Sequence, residues 1–218
     1  MKRVYIIVEG QTEEEFVNST LRNYLLRFQI TDVRPIMIET SPGHKGGDLK
    51  YARYKKNIEI LLKSQPDIVV TSLIDFFRLK TDFPKYKEAS KIVDKTARVS
   101  FLENSIKEQI TSRFFLPYIQ LHEFEGLLFT DIRGFDYLMD LPEPKRVEII
   151  NIISGYPNPE TINDGADTAP SKRIIKLIPE YRKNLHGPII AEENGIQKII
   201  DKCPRFKKWV ESIIEKAA

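Results

Sequence analysis

The feature that most constrains this chain is the run Val4-Tyr5-Ile6-Ile7-Val8, cut off by Glu9 and Gly10. Five consecutive apolar residues, four of them β-branched, leave no polar face for water. Such a run reads as a strand buried on both sides. Helices must then cover both faces, which is the situation of a parallel sheet. Gly10 supplies the turn. Thr12 opens a helix, with Glu15 three residues later in the capping-box position. Phe16, Leu21, Tyr24, Leu25 and Phe28 give that helix its apolar stripe.

The alternation continues. Arg34 to Glu39 reads as a second strand and the segment from Pro42 to Gly47 as a flexible loop. Tyr51 to Leu62 fits a helix with Tyr51, Tyr54, Ile58, Leu61 and Leu62 on one face. Asp67 to Phe77 is a third strand, Arg78 to Tyr86 a loop, and Lys87 to Ser112 carries one or two helices. Arg113 to Phe124 is a fourth strand. Strand and helix in turn predict an α/β fold, with a mainly parallel sheet and helices on both faces. Beyond residue 134 the pattern is all-helical, with runs at Lys145–Ile153, Ser171–Leu177 and a closing helix at Arg205–Lys216. We expect a sheet domain over residues 1–130 and a helical extension over 131–218 packed on it.

Composition narrows the chemistry. The chain has 218 residues, with 34 Lys and Arg against 31 Asp and Glu, for a net charge of +3. That balance excludes a histone-like polybasic protein but not a local basic track. The single cysteine, Cys203, excludes an intrachain disulfide framework and a Cys-cluster zinc site. Three histidines limit His-rich metal chemistry. The N-terminal apolar run is too short for a signal sequence, and no stretch approaches the roughly 20 apolar residues of a membrane span. A cytoplasmic protein without a membrane partner is the expectation.

In open α/β sheets, ligands bind beyond the carboxyl ends of the strands. Three strand ends carry acids here: Glu9, Asp75, and Glu123 with Glu125. Parallel neighbouring strands would bring these carboxylates together, and Mg²⁺ or Mn²⁺ would give them a reason to converge. The alternative is that each acid caps a helix start. Asp75 is the most informative, an acid set between Leu73-Ile74 and Phe76-Phe77, where an unpaired charge is costly to bury. His122 is a candidate to orient an acid or shuttle a proton, with a core histidine as the alternative. The Gly-rich stretch around Lys45 lacks the full P-loop pattern and reads as a phosphate loop or a plain turn. Lys172 and Arg173 sit in the first turn of a helix, against its dipole. Either a bound phosphate or pairing with Glu160, Asp164 or Asp167 would explain that placement. Trp209 reads as a core anchor.

The same residues resemble a known group. Val8-Glu9-Gly10-Gln11-Thr12-Glu13 resembles the opening motif of the Toprim superfamily, which includes primases, topoisomerases, recombination mediators and nucleases of the overcoming-lysogenization-defect type. A Toprim-like family of prokaryotic proteins, often encoded beside an ABC-type ATPase in defence loci, is closer. Its pattern is matched by Ile74-Asp75-Phe76-Phe77, by Pro117 to Phe129, by Asn158 to Gly165, by Thr168 to Arg173 and by Cys203 to Trp209. The resemblance implies a metal-dependent nuclease acting on DNA or RNA. Glu9 and Asp75 would serve as catalytic and metal-binding acids, Glu123 and Glu125 as further ligands, and His122 in support. Lys45, Lys172 and Arg173 would contact phosphates. It equally allows an inactive nucleic-acid-binding or regulatory partner of the ATPase, and a homo-oligomer. The superfamily pattern has a second aspartate two residues after the first, where this chain has Phe77.

Overall fold

The computed structural model describes residues 3–41, 44–45, 49–77, 79–138, 140–163 and 165–218, with only the backbone for 39–41, 44–45 and 166. The elements follow in order. Strand β1 is Arg3–Val8. Helix α1 (Gln11–Phe16) continues through a π-helical turn (Val17–Leu21) into α2 (Arg22–Leu26). Next come β2 (Val33–Met37), the small strands β3 (Glu39–Ser41) and β4 (His44–Lys45), α3 (Tyr51–Ser64) and β5 (Ile68–Asp75). Then follow α4 (Tyr86–Ala89), α5 (Lys95–Gln109), β6 (Phe115–Leu116), β7 (Ile119–Gln120) and a 3₁₀ segment, Phe124–Thr130. The rest is helical: α6 (Arg133–Leu138), α7 (Glu143–Ser154), α8 (Pro170–Leu177), α9 (Lys183–Asn194), α10 (Ile196–Lys202) and α11 (Pro204–Ala217), with short 3₁₀ turns at Pro159–Thr161 and Ala166–Thr168.

The main sheet runs β2-β1-β5-β6, with β7 also pairing β5, and every pairing in it is parallel. The expected α/β architecture is therefore the observed one. The two-sided burial of β1 has a direct cause in its alternation. Val4, Ile6 and Val8 pack with Phe16, Leu21, Leu25, Trp209 and Val210 on one face. Tyr5 and Ile7 pack with Tyr54, Ile58, Val99 and Leu102 on the other. The C-terminal helices thus share one core with α1, α2 and one sheet face, while α3 and α5 cover the opposite face. Trp209 is 3% exposed, stacks on Tyr118 with ring centroids 4.6 Å apart, and donates to Thr71 Oγ1 at 2.7 Å. It is the core anchor expected from sequence.

Two details depart from expectation. The fourth strand is not one run but two residue pairs on either side of Pro117-Tyr118. Proline has no N–H to give to a ladder, so the pairing breaks there and resumes further along β5. The first helix begins at Gln11, not Thr12, so Gly10 is its N-cap and Glu13, not Glu15, is the third helical residue. Among the described residues no helix is long and apolar enough to cross a membrane.

Candidate functional site

Parallel strands point their carboxyl ends to one edge, and that edge carries the acids. Glu9 follows β1, Asp75 ends β5, and the chain leaving β7 delivers Glu123 and Glu125. Together with Gly10, Thr12, Glu13 and Lys183 they line one cavity of about 120 Å³. Four acids expected from sequence therefore converge. Glu13 and Lys183 join them.

Glu13 arrives through the helix start. Its carboxylate folds back toward the N-cap, where a Cβ on Gly10 would sit 3.3 Å from Glu13 Oε2. The backbone amides of Gly10 and of Glu13 itself favour its charged form there. The signal in the sequence is the register: a helix beginning directly after Gly10 makes Glu13 its third residue. Burial is the main reason its carboxyl is pushed up to about 7, with the Glu125 charge adding to it and the backbone bonds and Lys183 opposing it.

Lys183 opens α9 and bridges the last two acids, 3.0 Å from Glu125 Oε1 and 3.7 Å from Glu123 Oε1. A lysine in the first turn of a helix opposes the dipole, and the carboxylates compensate. Burial works against its charge, but Glu125 and Glu123 outweigh it and hold the ammonium above its ordinary range. Glu125 is itself raised by burial, with Lys183 partly offsetting.

Asp75 and Glu123 also hold the local chain. Asp75 Oδ1 accepts from the N–H of Phe124 at 2.9 Å, fixing the turn that presents Glu123 and Glu125. Glu123 Oε2 accepts from the N–H of Ser171 at 3.0 Å, at the start of α8. Capping is thus part of what these acids do. It does not relieve Asp75, whose carboxyl is raised well above its ordinary range by burial and then by the charges of Glu13, Glu9, Glu125 and Glu123.

The remaining sequence candidates fall elsewhere. His122 is buried, sits in the left-handed backbone region at φ 69°, and places Nδ1 3.3 Å from Asn163 Nδ2. It is not among the residues lining the acidic cavity. Lys172 is exposed on α8. Arg173 turns back, with Nε donating to the Thr168 carbonyl at 2.8 Å and Nη2 to the Tyr156 hydroxyl at 2.6 Å. The anion at the start of α8 is the Glu123 carboxylate. Glu160 serves α11 instead, accepting from the N–H groups of Arg205 (2.8 Å) and Phe206 (3.2 Å). Lys45 lies in β4 and its side chain is outside the described residues, as are Asp164 and most of the surrounding glycine-rich loop.

The acidic cavity offers five carboxylates and no imidazole or thiol. That donor chemistry fits a hard divalent cation rather than zinc. Among the described residues, no three His, Cys, Asp or Glu side chains stand close enough to hold one ion in the present arrangement. The positive charge beside the acids is that of Lys183.

A mainly parallel sheet with acids at its carboxyl edge and a helical C-terminal part defines an α/β protein with a candidate site beyond its strand ends. The profile of the family described as a domain of unknown function, DUF4276, matches residues 8–214, and the chain belongs to that family. No curated protein matches it in sequence. In structure it is similar to the C-terminal region of the Burkholderia pseudomallei OLD protein, with a TM-score of 0.52 at 16% identity and full coverage of both chains. The C-terminal region of the Xanthomonas campestris pv. campestris OLD protein is similar at a TM-score of 0.46 and 15% identity, covering 100% of this chain and 95% of that one. The Burkholderia likeness establishes the fold, the one expected from the resemblance to proteins of the overcoming-lysogenization-defect type.

Proposed function

We propose that this protein hydrolyses nucleic-acid phosphodiester bonds with Mg²⁺ or Mn²⁺. The observation that carries the reading is the convergence of Glu9, Glu13, Asp75, Glu123 and Glu125 on one cavity at the carboxyl edge of the sheet. Burial and mutual repulsion hold the Glu13 and Asp75 carboxyls above their ordinary range. Converging carboxylates disfavoured as anions gain when a cation is added. Glu9, Glu13 and Asp75 would hold the ion, with Glu125 and Glu123 completing the set. A bound divalent ion polarises a phosphate and lowers the pKa of an attacking water. Lys183 stays charged beside the acids and is placed to meet a phosphate oxygen. Lys172, exposed on α8, would contact the backbone of a longer substrate, and Lys45 is a further candidate. A defence system with an ABC-type ATPase partner is the setting the resemblance implies. This sequence carries no P-loop pattern, so ATP use would belong to the partner.

The second reading is an inactive nucleic-acid-binding or regulatory subunit. Two observations favour it: Phe77 in place of a second aspartate, and acids already committed to Phe124, Ser171 and Lys183. One experiment separates the two. Mn²⁺ is titrated into the purified protein, and single-stranded, duplex and structured DNA and RNA are then offered as substrates. We expect Mn²⁺ binding and cleavage, both lost in Glu9→Gln and Asp75→Asn. Nucleic-acid binding without Mn²⁺ uptake or turnover, unchanged by either substitution, would establish the second reading.

A further inference from the structure

Tyr181 lies on the connection between α8 and α9. It is 6% exposed, and its hydroxyl makes no hydrogen bond among the described residues. The hydroxyl points at Gly187, where a Cβ would come within 3.1 Å of it, 3.2 Å of Thr12 Cγ2 and 3.7 Å of the Phe124 ring. Of these neighbours Thr12 lines the acidic cavity, and the other two are close in sequence to residues that do. Thr12 precedes Glu13, Phe124 stands between Glu123 and Glu125, and Gly187 lies one turn beyond Lys183. The phenol therefore stands directly behind the site. Glycine at 187 is what lets it in.

A phenylalanine would fill the same volume without the cost of burying an unpaired hydroxyl. The O–H is thus out of place in this arrangement unless an acceptor reaches it in another. Glu123 and Glu125 flank Phe124, whose ring lies against the same glycine, and their charges reach the phenol. Burial first and then these charges raise its ionisation well above the ordinary range, so it remains a donor. Glu123 is committed to the Ser171 amide, whereas Glu125 is held by the end of a long lysine side chain.

We infer that Tyr181 is a positioning residue of the acidic site, whose O–H fixes the Glu125 carboxylate once that carboxylate turns from Lys183 toward a divalent cation. The inference rests on the metal-dependent reading above. A hydrogen bond behind a ligating carboxylate orients it, and its loss typically lowers metal affinity about 10- to 100-fold.

The test uses the full chain carrying Tyr181→Phe, with Mn²⁺ affinity read by the paramagnetic resonance of free Mn²⁺ and thermal stability read without metal. We expect a metal-free Tm equal to or above that of the parent, together with Mn²⁺ affinity lower by about tenfold. In a Glu125→Gln background the same substitution should have no effect on Mn²⁺ affinity, since the group it acts through is gone. A parent protein that binds Mn²⁺ equally well with and without the hydroxyl overturns this inference alone. A drop in metal-free Tm also overturns it, because the hydroxyl would then be bonded already. A parent that takes up no Mn²⁺ overturns both this inference and the proposed function.

Discussion

Glu13 is the residue whose titration should be most visible. Its carboxyl is ordinarily at 4.5 and in the fold is pushed up to about 7, so the folded state binds that proton more tightly than the unfolded chain. The stabilisation is complete below 4.5 and is lost as pH rises through about 7. The loss should be on the order of 3 kcal/mol, since a proton held one pH unit more tightly is worth about 1.4 kcal/mol. Urea unfolding of the parent and of Glu13→Gln between about pH 4 and 8 tests this. The parent should lose stability across that window and the variant should lose distinctly less. Parallel curves would refute the assignment. Glu9 and Asp75 can be read from the sequence because each ends an apolar strand. Glu13 is hidden because the helix starts one residue before the capping signal at Thr12 suggests, and Lys183 because it stands among other basic residues.

Glu160 belongs to the scale of elements. Among the described residues its hydrogen bonds go to α11 and Tyr118, not to Lys172 or Arg173. Buried beneath α11, it accepts from two of that helix's first N–H groups and, at 3.4 Å, from the Tyr118 hydroxyl. Arg205, the second residue of the helix, reaches the opposite way, to Glu103 at 2.7 Å and Ser100 at 3.0 Å. Glu160→Gln keeps the volume but replaces one acceptor oxygen with a donor that faces N–H groups. The expected cost is about 1–3 kcal/mol, typical of a buried donor left without its partner. A shift in the urea midpoint with an unchanged slope would register it. The ordered motif around Asn158 to Gly165 is visible in the sequence. Its role as the cap of a helix 45 residues away is not, because a cap supplied across the fold leaves no local spacing to read.

The whole molecule is tied together at Trp209. The residue spans from α11 to the sheet, stacked on Tyr118 and bonded to Thr71 on β5. Trp209→Ala should cost about 3–5 kcal/mol, the range for removing a large buried aromatic side chain. Circular dichroism can follow the loss in the variant. Trp209 is the single tryptophan, so in the parent its fluorescence reports the docking of the C-terminal helices on the sheet. If the variant unfolds at the parent midpoint, those helices are held by other contacts.

Sequence alone determined the order of the main strands and helices and the kind of chemistry available. Uninterrupted β-branched runs force strands buried on both faces, and these force a parallel sheet with its carboxyl ends on one edge. Acids placed at those ends are then bound to meet. The tertiary structure decided which groups meet them. Lys183 and the start of α8 reach the site only because the C-terminal helices pack back against the sheet. Contacts between residues so far apart in the chain depend on strand order and helix packing, which no local pattern of residues encodes.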